Sequence, residues 1–121
     1  MGYESRIYIV EKGHKFKGET HYFCSVIAMF DLGKFYDVSD FMRRCPVTDC
    51  YFYANDGDIR ILEDRYGEAL TETTVDKMVE VLEKAKAKDN YRRVLPLLFT
   101  LYAMQKDKNR WGDLAVLHYG Y

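Results

Sequence analysis

The segment from Cys50 to Glu63 constrains this chain most. It reads CYFYA, then Asn55-Asp56-Gly57-Asp58, then IRILE, so two aromatic and β-branched runs flank an Asp-Gly turn. Such a turn favours an antiparallel hairpin, because its backbone needs positive φ at positions where Gly, Asn and Asp carry little steric penalty. Alternation agrees: Ile59 and Ile61 fall on one face, Arg60 and Leu62 on the other. A lone hairpin is marginal in water, so more strands or a covering helix must come from the rest of the chain.

Glu4 to Val10 predicts a first strand, with Ile7 and Ile9 on one face beside Tyr3. A basic loop between Gly13 and Gly18 follows. His21 to Phe30 is then almost continuously apolar, which suits a strand buried on both faces, although period alone also allows a short buried helix. Ser39 is read as the cap of a short helix reaching Arg44 and stopped by Pro46. Val75, Met78, Val79, Leu82 and Ala85 recur at helical spacing behind Thr73, the expected N-cap, with Asp76 three residues later. Asp89-Asn90 breaks that helix. A second is predicted over Tyr91 to Gln105, starting near Leu95 or kinked there because of Pro96. Leu114 to Tyr119 returns to strand character. At 121 residues there is room for one core. The expectation is a single α+β domain, residues 1–121, with a mostly antiparallel sheet of four to five strands and two amphipathic helices packed on one face.

Eighteen Lys and Arg against nineteen Asp and Glu leave a net charge of −1. That balance disfavours a general electrostatic grip on nucleic acid or an anionic membrane. There is no apolar signal core near Met1, no run long enough to span a bilayer, and an odd count of three cysteines. These features predict a cytoplasmic protein with free thiols. The charge is uneven, however. Asp49 to Glu83 holds ten acids and three bases, a net of −7, whereas Lys84 to Arg110 carries +6. The acidic segment is either a solvated face or a docking surface for a basic partner. Its candidate partner-binding residues are Asp56, Asp58, Glu63 and Asp64 with Tyr53 and Tyr66. Eleven tyrosines, seven phenylalanines and one tryptophan are too many for the core alone, and exposed tyrosine is a common interface anchor.

His21, Cys24, Cys45 and Cys50 supply the number and type of donors that a structural zinc requires. His21 and Cys24, three apart on a straight strand, point to opposite faces and meet only across a bend. A calcium loop fails because Arg60 stands where an oxygen ligand would be needed. Neither a nucleophile elbow nor a phosphate-binding glycine loop is present, and no catalytic residue is assigned. The expectation is a non-enzymatic protein. The alternatives are a metal-dependent hydrolase using Asp and His residues, or a homo-oligomeric structural or virion-associated protein.

Five blocks, MGYESRIYIVEK at 1–12, VIAMFDL at 26–32, YANDGD at 53–58, YRR at 91–93 and LHYGY at 117–121, together resemble small phage- and prophage-encoded proteins of Gram-positive bacteria. The resemblance covers most of the chain and transfers no activity residue by residue. It implies a protein that binds a host protein or protein–nucleic-acid complex. Inhibitors of host defence of the anti-CRISPR kind, which act on a CRISPR effector, are the prominent example.

Overall fold

The computed structural model describes residues 4–54 and 59–121. The chain is α+β. Six strands, β1 (Ser5–Lys12), β2 (Tyr22–Gly33), β3 (Cys50–Ala54), β4 (Ile59–Ile61), β5 (Thr71–Thr73) and β6 (Leu114–Gly120), form one sheet in the order β4-β3-β2-β1-β6-β5. Among the described residues three α-helices, α1 (Tyr36–Arg43), α2 (Val75–Ala85) and α3 (Val94–Lys106), accompany the sheet. The sheet is mixed: every neighbouring pair is antiparallel except β2 with β3, which run parallel through Tyr22↔Cys50 and Phe23↔Tyr51. One strand, the short β5, exceeds the four to five expected, and α1, read from the sequence as a short helix reaching Arg44, makes a third helix beside the two amphipathic ones. Three residues of strand carry too little alternation to be read from sequence.

The hairpin pairs as expected, Phe52↔Ile61, Tyr53↔Arg60 and Ala54↔Ile59. The turn at Asn55–Asp58 lies outside the described residues. β6 takes its place between β1 and β5. β2 is not buried on both faces: Ser25, Val26 and Met29 are exposed. Its apolar run reflects two half-covered faces, one under the helices and one open beyond the point where β3 diverges.

Caps account for the helix boundaries. Thr74, one residue later than expected, caps α2 by accepting from the Lys77 N–H at 3.2 Å. Ser39 lies inside α1, donating to the Tyr36 carbonyl, and α1 starts at Tyr36 with no side-chain cap. Before α3, one Asp89 carboxylate accepts from the N–H groups of Arg93, Val94 and Leu95 at 3.0, 2.8 and 3.3 Å. Pro96 then falls in the first turn, where its missing N–H costs no intrahelical bond. Of the two expected alternatives, a helix starting near Leu95 or a kink there, the structure shows the first, with α3 starting at Val94.

Two cores result, one on each face of the sheet. Ile7, Ile9, Leu32 and Val116 meet Val38 and Met42 of α1, Met78 and Leu82 of α2, and Leu97, Leu98 and Leu101 of α3. At roughly 1.5–3 kcal/mol for each fully buried aliphatic side chain, this layer dominates stability. On the other face Val10, Cys24, Cys50, Phe52, Leu70, Ala115 and Leu117 are buried without a helix. The sheet covers them by curling. Pro46–Thr48, which leads into β3, bonds to β5 through Thr48 N–H to the Leu70 carbonyl and Glu72 N–H to the Pro46 carbonyl, both 2.9 Å. The β4 end is tied to the same segment through the Glu63↔Ala69 bridge. Among the described residues no helix is long and apolar enough to cross a membrane.

Candidate functional site

The curl closes on a polar cluster. Register sets Lys12 opposite Cys24 and Tyr22 opposite Cys50, so all four side chains share the concave face. The Lys12 ammonium lies 3.1 Å from Asp49 Oδ1 and 3.5 Å from Glu72 Oε2. Thr48, itself buried, donates its hydroxyl to Glu72 Oε1 at 2.7 Å and accepts the Cys50 N–H at 3.0 Å. One hydroxyl therefore orients both the carboxylate and the cysteine backbone. The Cys50 thiol donates toward Asp49 Oδ1 at 3.8 Å. An open cleft of about 740 Å³ borders the cluster, lined by Lys12, Asp49, Glu72, Arg44, Lys77 and Cys45 among others.

Electrostatics follow from this packing. Burial opposes the Lys12 charge, but the Asp49 hydrogen bond and the Glu72 charge overcome it and raise the ammonium pKa. The Cys50 thiol is held up by its contact with Cys24 and by burial. Cys24 is pulled down, first by that same contact and then by the Gly13 N–H and the Lys12 charge. Gly13 must be glycine here, because a Cβ at this position would sit 2.9 Å from the Phe23 carbonyl oxygen.

The four zinc candidates are not brought together. Cys24 and Cys50 meet inside the curl. His21 precedes β2 and pairs its Nδ1 with Thr20 Oγ1 at 2.8 Å. Cys45 ends the turn after α1, donating to the Phe41 carbonyl at 3.4 Å, with burial raising its pKa. Among the described residues the group with ligand spacing is Asp49, Cys50 and Glu72, whose donor atoms lie within 4.8 Å of one another. In the sequence Asp49 and Glu72 stand out as members of the acidic run, with nothing local to pair them. They lie twenty-three positions apart in the chain, and their meeting depends on the register of β5 against Pro46–Thr48.

A second candidate surface covers the outer side of the hairpin. Phe23, Tyr51 and Tyr53 pack ring against ring at centroid distances of 5.7–5.9 Å. The Arg60 guanidinium lies 3.7 Å from the Tyr51 centroid and pairs with Glu19 at 3.0 Å. Tyr53, Ile59, Leu62 and Tyr66 are all exposed. Most of the acidic run is already engaged. Asp49 and Glu72 hold Lys12, Glu80 and Glu83 pair with Lys84 and Lys86, and Asp76 accepts from Gln105. Asp64 organises its own turn by accepting the N–H groups of Tyr66 and Glu68. Glu63 and Glu68 are exposed and carry no ion pair among the described residues. Asp56 and Asp58 lie outside those residues.

No protein-family model, no curated protein and no solved structure matches the chain.

Proposed function

We propose that the protein is a non-enzymatic binding protein that docks through its β3–β4 hairpin and the turn after it onto a basic surface of a partner. The observation that carries this reading is that the hairpin and the turn after it expose Tyr53, Leu62 and Tyr66 within the same stretch of chain as the carboxylates of Glu63 and Glu68, which carry no ion pair among the described residues. Aromatic and aliphatic side chains on paired strands supply contact area at low entropic cost, and an acidic rim steers encounter with a cationic surface. A surface built to hold nucleic acid is the cationic partner this rim fits. The resemblance to phage proteins directs the reading to a host defence complex such as a CRISPR effector, reached in the cytoplasm of the bacterial host.

Affinity capture from a bacterial host lysate, followed by kinetics on the purified partner, tests the proposal. Glu63→Lys with Glu68→Lys should slow association about ten-fold while leaving the melting temperature nearly unchanged, and added salt should mimic the loss. Tyr53→Ala should act chiefly on dissociation. A partner whose affinity ignores salt and all three substitutions would move the interface away from the hairpin.

A further inference from the structure

We propose that Asp49, Cys50 and Glu72 form a site for a thiophilic divalent cation of the zinc class, which the Lys12 ammonium occupies when no metal is bound, with Cys24 as the adjacent sulfur donor. Zinc binds carboxylate oxygen at about 2.0–2.2 Å and thiolate at about 2.3 Å, so two donors at the tetrahedral angle on one ion stand about 3.4–3.6 Å apart. The three donor atoms here lie within 4.8 Å of one another, so rotamer adjustments of about 1 Å close the set. Lys12 marks where a cation belongs, since its ammonium already lies between the two carboxylates.

The surroundings are those of a prepared ligand set. Thr48 holds Glu72 by Oε1, leaving Oε2 toward the cation position, and fixes the Cys50 backbone through the same hydroxyl. Outer hydrogen bonds of this type orient metal ligands. One buried sulfur beside two carboxylates, with a second sulfur packed against the first, favours zinc or cobalt(II) over magnesium or calcium, which prefer oxygen alone. The exchange also balances in charge. A dication enters, the Cys50 thiol releases its proton to solvent, and the Lys12 ammonium swings out still protonated, so the net charge of the cluster stays the same. Lys12 has somewhere to go: it ends β1 on a flexible stem and borders the open cleft.

Cobalt(II) is the probe, with zinc as its competitor. The wild-type protein should take up one equivalent of cobalt(II) with thiolate-to-metal charge-transfer absorption, release protons, and give up the cobalt to zinc. Lys12→Met removes the competing ammonium and should tighten binding about ten-fold or more. Glu72→Gln should weaken it by at least ten-fold, and Cys50→Ser should abolish the charge-transfer band. Cys45→Ser and His21→Ala should leave the titration unchanged. Far-UV circular dichroism checks that each variant is folded. If Cys50→Ser fails that check, Lys12→Met and Glu72→Gln decide the matter on their own. Absence of cobalt binding to both wild-type and Lys12→Met protein would overturn the proposal, as would a band lost on Cys45→Ser but retained when Glu72 is changed.

Discussion

On one face of the sheet Ile7, Ile9, Leu32 and Val116 lie under three helices, and the layer is made of large aliphatic side chains and methionines. On the other face Val10, Cys24, Cys50, Phe52 and Leu117 are covered by the sheet's own curl, and the layer is smaller, mixed with thiols, and ends on Lys12, Asp49 and Glu72. Helices can lay broad apolar stripes over a sheet, so that face closes tightly with hydrocarbon alone. A curl brings backbone edges together before it brings side chains together. Its interior is therefore narrow, suits small residues, and leaves polar groups where the edges meet. The helix-covered face stabilises the molecule. The curled face gathers thiols, carboxylates and a lysine.

The largest test of that contrast is a deletion on each side. Leu101→Ala, at a fully buried position under the helices, should cost about 3 kcal/mol in urea denaturation, whereas Cys24→Ala in the curl should cost about 1 kcal/mol. Equal losses would erase the distinction.

His118 provides the next test, because it shares the face of Ile7 yet is polar and buried. Ser5 Oγ lies 2.9 Å from its Nε2. Burial outweighs the opposing Asp64 charge and pushes the imidazole pKa down to about 4, from 6.5 in an exposed ring. The folded protein thus keeps His118 neutral where the unfolded chain takes up a proton. The stability this confers is complete above pH 6.5 and is lost as pH falls toward 4, by on the order of 3 kcal/mol. Denaturation midpoints at several pH values should show this loss in the wild type and a flatter profile in His118→Gln. Parallel profiles would mean that the acid sensitivity resides in the carboxylates of the curled face instead.

The smallest effect concerns how the covering helices are held. Thr74→Ala removes the side-chain acceptor for the Lys77 N–H and should cost about 1 kcal/mol, read as a lower thermal midpoint. A larger loss would show that α2 also supports the adjoining cleft, which Thr74 lines.

Local chemistry made several elements legible in the chain itself. The paired runs around Asn55–Asp58 name a hairpin, and the 3.6-residue spacing from Val75 to Ala85 names an amphipathic helix. The last strand was legible as well, from β-branched and aliphatic alternation between Leu114 and Tyr119. Each of these signals is contained within one element, where backbone preference and side-chain periodicity act together. The cap at Thr74 was misplaced by one residue because Thr73 and Thr74 have the same hydroxyl chemistry and only geometry chooses between them.

What tertiary structure alone decided is longer in range. β5 is three residues that become a strand only because Pro46–Thr48 and β6 present edges to them. Cys24 meets Cys50 because β2 and β3 run parallel for two residues, and Asp49 reaches Glu72 because the sheet curls. The half-exposed state of β2 follows from where β3 leaves it. None of these contacts has a local signature, since each depends on strand register across intervals of twenty or more residues. Composition supplied the thiols, carboxylates and lysine; the fold chose which of them share a site.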